Sequence, residues 1–198
     1  MTLTYHQQKT EAKIEQILQG ALSEFLTYGY LGTSMDKIAQ TAGVSKQTLY
    51  THFGDKEGLF KALIYEVTTK KFQLVWSKSL EGKPEIVLKE LAERIVNEVN
   101  DPQYLAFVHV IVTSAKTYPE LGELFLENVA KPAMNILIKY FDDCADLNLA
   151  DSEAIAHIFV NTLIHHILTQ ETLQGKKVIP IKSERIINNL IKMITNTE

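Results

Sequence analysis

Ala42–Leu59 reads AGVSKQTLYTHFGDKEGL, and the packing of its first twelve residues decides the fold. Between Gly43 and Gly54 the large apolar side chains at helical spacing are Leu49 and Phe53; around them stand Ser45, Lys46, Gln47, Thr48, Tyr50, Thr51 and His52. Residues four apart lie on one face of a helix, so Leu49 and Phe53 form a single narrow stripe and the other positions point outward. A helix of barely two turns built this way is poor core material and suits contact with something polar. Its bounds are marked locally. Gly43 permits a tight turn, Ser45 is placed to cap the helix, Gly54 stops it, and Asp55 is placed to cap a long helix from Lys56 to about Lys78.

Upstream, Thr33-Ser34-Met35-Asp36 fits a capping box, with the Thr33 hydroxyl at the cap and the Asp36 acid as its partner three residues on. The helix it opens turns Ile38, Ala39 and Ala42 inward. Before it, Lys9–Tyr28 carries Ile14, Ile17, Leu18, Ala21, Leu22, Phe25 and Leu26 on a 3.6-residue stripe that ends at Gly29. Two short helices joined through Gly43 make a helix-turn-helix by their parts. In such a unit Lys46 and Gln47, at the outer N-terminal end of the second helix, and Tyr50, one turn on, can reach base edges in a major groove about 12 Å wide.

From Pro84 onward, helices are expected at Pro84–Val99, Pro102–Lys116, Pro119–Asp143, Asp151–Gln170 and Ser183–Thr195. Pro84, Pro102 and Pro119 stand where a helix tolerates proline, at its start. Pro132 falls inside the third of these and is expected to kink it. Gly175 and Pro180 mark a loop. The β-branched run VHVIVT, residues 108–113, could form a strand, but its flanks read as helix. The fold class is therefore all-α: an N-terminal three-helix DNA-binding head over residues 1–56, then a helical bundle over 57–198.

Composition narrows the function. One cysteine, Cys144, cannot form an internal disulfide, which fits a reducing cytoplasm. The N-terminus lacks the apolar stretch of a secretory signal. The longest runs without Asp, Glu, Lys or Arg, Pro102–Ala115 and Ala154–Gln170, are shorter than the roughly 20 apolar residues of a membrane span or are interrupted by histidines and Asn161. The net charge of −4 argues against a general nucleic-acid coat protein, though Lys37–Lys56 locally holds three lysines against one acid. His165 and His166 are adjacent and point to different sides of a helix, which disfavours a metal site. No catalytic motif appears, and no cofactor is expected.

The spaced residues Phe25, Gly29-Tyr30, Thr33-Ser34, Ile38-Ala39, Ala42-Gly43-Val44-Ser45-Lys46, Thr48-Leu49-Tyr50, His52-Phe53 and Lys56-Glu57-x-Leu59 resemble the TetR family of bacterial transcriptional regulators. TSAKTYPELGELFLENVAKPA, residues 113–133, is similar to the regulatory half of its AefR-like branch. The resemblance implies a cytoplasmic homodimer that binds palindromic operator DNA, represses, and is released by a small-molecule effector. It places Thr48, His52 and Lys56 on phosphates, joined by Thr51, with Thr33, Ser34 and Lys37 clamping the opposite strand. Many relatives carry a small residue where this chain has Gln47, a side chain able to pair with adenine.

For the second half, Phe72, Trp76, Tyr104, Phe107, Phe125 and Phe159 are candidates for a pocket taking an apolar effector. Ile155, Phe159, Leu163, Ile167, Ile187, Leu190, Ile191 and Ile194 are candidates for the dimer interface, the alternative being that they complete the monomer's own core. The competing functions are an all-α enzyme or small-molecule carrier without operator affinity, and a DNA-binding protein without an effector.

Overall fold

The computed structural model describes residues 5–195, in which every regular element is helical. The helices are α1 (Tyr5–Gly32), α2 (Met35–Thr41), α3 (Lys46–Phe53), α4 (Lys56–Trp76), α5 (Pro84–Val99), α6 (Pro102–Ala115), α7 (Pro119–Phe125), α8 (Lys131–Asp143), α9 (Ser152–Ile167), α10 (Gly175–Val178) and α11 (Ser183–Thr195). VHVIVT lies within α6. Two compact units form. The first runs to Val67 and includes Ala106–Phe125; the second is Thr68–Leu105 with the chain from Leu126 on.

The first unit extends past residue 56 because α1 and the two short helices α2 and α3 share their core with later helices. Leu59, Phe60, Leu63 and Ile64 of α4, with Phe107, Val110, Ile111 and Leu121, fill the same cluster as Ile17, Phe25, Ile38 and Leu49. Phe60 is central to it. Its ring lies 4.6 Å from Phe25 edge-on, 4.9 Å from Tyr30 and 5.7 Å from Phe107, and such aromatic pairs add about 0.5–1.5 kcal/mol each beyond the area they bury.

The end of α1 is built differently from the expected capping box. Gly29, at φ +69°, breaks the helix where the sequence places its stop, and a last turn follows. Thr33 is 3% exposed, and its hydroxyl donates back to the carbonyls of Gly29 (2.7 Å) and Glu24 (3.1 Å). The cap of α2 is Ser34, whose Oγ accepts from the Lys37 backbone N–H. The cap thus moves by one residue and no box forms: carbonyls near the end of α1 take the Thr33 hydroxyl, and the next hydroxyl caps α2. Lys56 serves the same helix end, its Nζ donating to the carbonyls of Tyr30 (2.9 Å) and Thr33 (3.1 Å).

Gly20 lets α1 meet the turn after α2 at backbone distance. A Cβ there would lie 2.8 Å from that of Ala42, whose carbonyl accepts from Gln16 Nε2 at 2.7 Å.

In the second unit α5 packs on α9 and α11, and α8 packs on α9, around Leu88, Leu91, Ile95, Leu137, Phe141 and Phe159. At Pro132, where a kink is expected, the disturbance takes the form of a widened turn. Proline has no N–H for residue 128 and its ring crowds that carbonyl, so the turn before it widens to π-helical hydrogen bonding over Leu126–Ala130, and α8 starts beside the proline.

Two expectations are corrected here. Phe159, Leu163, Ile167, Ile187, Leu190, Ile191 and Ile194 are buried, and Ile155 packs partly buried among most of them. These stripes of α9 and α11 complete the monomer's core and are not free to meet a second copy. The six aromatics, for their part, divide between the two units. Phe107 and Phe125 belong to the first unit's core, whereas Phe159, fully buried, and Trp76 belong to the second's; Phe72 stacks on Trp76 at 6.2 Å, and Tyr104 is buried near Lys71. A helical stripe shows that a side chain faces inward; it does not show which neighbours it meets.

Candidate nucleic-acid interface

α3 is held from beneath and at both ends. Leu49 is fully buried and Phe53 partly so, the pair that periodicity placed inward. Ser45 Oγ accepts the Thr48 N–H at 3.1 Å and lies 2.8 Å from the Thr48 hydroxyl. Gly54, at φ +75°, closes the helix by donating its N–H to the Tyr50 carbonyl at 2.9 Å. Asp55 Oδ1 then accepts the Gly58 N–H at 2.7 Å and caps α4.

The outer face of α3 presents Lys46, Gln47, Tyr50, Thr51 and His52, all exposed, with Thr48 half-buried beside the cap. Tyr50 is 47% exposed, a large ring with little of the chain over it. Thr51 donates its hydroxyl to the Gln47 carbonyl at 2.7 Å, which leaves its oxygen able to accept but not to donate. From α2 come Ser34 and Lys37, both exposed; the Lys37 ammonium sits 4.1 Å above the Tyr28 ring. Tyr28, half exposed, was missed in the sequence because it lies at the polar edge of α1, where nothing in its spacing singles it out.

Three of the expected roles change. Thr33 is buried with its proton committed, so it leaves the set that can touch phosphate. Lys56 is turned to backbone carbonyls, and its burial lowers its pKa from the ordinary lysine value; with the Asp55 carboxylate already at the start of α4, that end is not an open anion cradle. Asp36 is no capping partner of Thr33: its Oδ2 pairs with Lys46 Nζ at 2.5 Å.

The second unit contains a groove of about 890 Å³ lined by His157, Ile158, Asn161, His165, Ile179 and Ile186 among others, and by none of the six aromatics. No Asp, Glu, Lys or Arg lines it. His166 stands at its edge, buried, with Nε2 3.0 Å from Ser183 Oγ. Burial holds its pKa below 6.5, partly opposed by Glu171. The unfolded chain therefore takes up this proton at a higher pH than the fold does. Stability is expected to fall as pH drops below 6.5, until the folded form also titrates. In melts between pH 7.5 and 5, His166→Gln should flatten that part of the profile. Among the described residues no group of three or more His, Cys, Asp or Glu side chains is placed to hold a metal ion, and no helix is long and apolar enough to cross a membrane.

Comparison with known proteins bears on this arrangement. The model for bacterial regulatory proteins of the tetR family matches residues 17–63, which hold α2, α3 and the parts of α1 and α4 that pack on them. The model for the C-terminal domain of AefR-like transcriptional repressors matches residues 86–196, more than half the chain. The chain belongs to the TetR family. Over 79 residues the chain is 34% identical to the HTH-type transcriptional repressor AcnR of Corynebacterium jeikeium, an alignment spanning 40% of this chain and 41% of AcnR. The chain thus matches only about two fifths of that curated relative's length. Whole-length likeness is found among solved structures. A protein of Mesorhizobium loti assigned to the TetR-family regulators superposes with TM-score 0.76 at 25% identity, covering 94% of this chain and 96% of the other. The flavonoid-responsive regulator FrrA superposes with TM-score 0.73 at 27% identity, covering 92% of each. The all-α TetR architecture, a helix-turn-helix head followed by a helical C-terminal domain, is the fold of this chain.

Proposed function

We propose that this TetR protein is a dimeric, cytoplasmic transcriptional repressor whose α3 enters the major groove of a palindromic operator. The observation that carries the reading is the exposed polar face of α3, fixed from below by Leu49 and capped by Ser45. Nothing in α3's own packing needs Lys46, Gln47 or Tyr50 where they stand. Ser34, Lys37, Thr48 and His52 flank them and meet the backbone phosphates, which set the register but carry no sequence information; Thr51, its proton held by the Gln47 carbonyl, is left out of that set. AcnR, similar over 79 residues, is a transcriptional repressor.

The dimer face is the outer side of α9, where His157, Ile158, Asn161 and His165 line the uncharged groove with Ile179 and Ile186. A two-fold interface brings one patch against its own copy, and a patch of apolar and neutral polar groups meets itself without like-charge repulsion. Two heads then read grooves about 34–36 Å apart, or a small multiple of that. The effector is a small, mostly apolar molecule bound by the C-terminal body, and it acts by changing the separation of the heads. FrrA, similar along almost its whole length, is flavonoid-responsive.

Selection of duplexes from a random pool tests the reading. The pure protein should recover one palindromic sequence and shift it in preference to a scrambled duplex; recovery of no sequence leaves the carrier or enzyme alternative. Gln47→Ala should weaken binding to the recovered operator by about 1–3 kcal/mol, the value of a bidentate adenine contact. It should change the sequences selected and leave the salt dependence as it was. Uniform weakening on every duplex would remove Gln47 from the base-reading set.

A further inference from the structure

α2 and α3 together carry one carboxylate, Asp36. It caps neither helix, since Ser34 caps α2 and Thr33 closes α1, and its place in the first turn of α2 adds only the modest dipole term of an exposed acid. Instead its Oδ2 lies 2.5 Å from the Nζ of Lys46, the first residue of α3, with 61% of the Asp36 and 58% of the Lys46 side chain exposed. An acid on a surface that meets phosphates is a cost to binding, and an exposed ion pair returns little to folding. The second cation there, Lys37, lies over the Tyr28 ring and, among the described residues, forms no ion pair.

We propose that Asp36 is a specificity-determining residue that keeps Lys46 from being spent on any passing phosphate. This rests on the reading of α3 as the base-reading helix. On an arbitrary duplex the pair docks intact: Lys46 releases no counterion, and the carboxylate is repelled by the backbone. On the operator, a base that offers two acceptors in the groove, the O6 and N7 of guanine, competes for the ammonium where a single phosphate oxygen does not. The pair exchanges at little expense because it is exposed. Sequence-independent affinity is thereby held down while the sequence-dependent contact is retained. Breaking the pair from the acidic side should therefore strengthen binding to the wrong DNA more than binding to the right one.

The test compares wild type, Asp36→Asn, Lys46→Gln and the double variant by fluorescence anisotropy, on the selected operator and on a scrambled duplex, from low to moderate salt. Asp36→Asn should bind the scrambled duplex about three- to five-fold more tightly at low salt for each head engaged, with the salt slope steeper by about 0.9 per freed cation. The operator should gain less, so the ratio of the two affinities falls. Adding Lys46→Gln should return the scrambled duplex to its wild-type affinity and slope. Melting temperatures should stay together, as the pair lies outside the core. Unchanged selectivity and slope in Asp36→Asn overturn the inference. Loss of affinity on both duplexes also overturns it, because Asp36 would then be a support for α3. If the wild type does not distinguish the duplexes, the repressor reading itself fails and this inference goes with it; a selective wild type with an indifferent Asp36→Asn removes the inference alone.

Discussion

Leu49→Ala is expected to cost the head about 2–5 kcal/mol, the usual penalty for truncating a fully buried leucine. It should also lower operator affinity about a hundred-fold or more, since three base contacts worth about 1–3 kcal/mol each depend on where this helix sits. Leu49 has no exposed surface and is the one α3 residue that is fully buried. Phe53 is a second, partial anchor at the far end. An eight-residue helix is too short to hold itself in register, so its position is set by what lies beneath it. Removing three carbons at Leu49 lets the N-terminal turn move, and that turn carries Lys46 and Gln47. Thermal melts and anisotropy on the selected operator measure the two effects. Leu49→Met keeps volume and should cost less than about 1.5 kcal/mol. If Leu49→Ala melts lower yet binds as well as wild type, the operator is read by some other surface.

Ile158→Glu should give the opposite combination: an undisturbed fold and a lost dimer. Ile158 is 50% exposed on the outer face of α9, beside His157 and Asn161 in the groove. A glutamate there meets its own copy across the two-fold axis, or must be buried unpaired against it. Either is enough to separate the protomers. A repressor reduced to one head loses the intramolecular second contact, a factor of about 10² to 10⁴ in affinity. Analytical ultracentrifugation should show a monomer whose melting temperature no longer depends on concentration. Leu163→Ala is the contrast. It lies on the buried side of the same helix and should cost about 2–5 kcal/mol of folding stability by leaving a cavity. A dimer that survives Ile158→Glu places the interface elsewhere.

The head was largely legible because its signals are short-range. The turn at Gly43, the Ser45 cap, the stop at Gly54 and the inward pair Leu49 and Phe53 each act within one or two turns of helix, and each stands as read. The slip from Thr33 to Ser34 as cap of α2 was not legible. Both hydroxyls suit the position, and the choice was made by the carbonyls of Glu24 and Gly29, which the Thr33 hydroxyl reaches only once the chain has broken at Gly29 and folded back. The hold on Lys56 was hidden for the same reason, its ammonium drawn to Tyr30 and Thr33 carbonyls 26 and 23 residues away. Pro132 signalled a disturbance, but whether it would appear as a bend or as a widened turn depends on the register of both flanking helices.

By itself the sequence determined that this chain is all-helical, where most of its helices begin and end, and which faces are apolar, since period, caps and backbone-permissive residues are properties of neighbours along the chain. Tertiary structure alone decided what covers each apolar face: Phe107 and Phe159 went to different cores, and the stripes of α9 and α11 were filled from α5 and α8. The hydrophobic effect removes apolar surface from water without specifying the partner. That choice falls to the packing of residues far apart in the chain, and no spacing within a single helix records it.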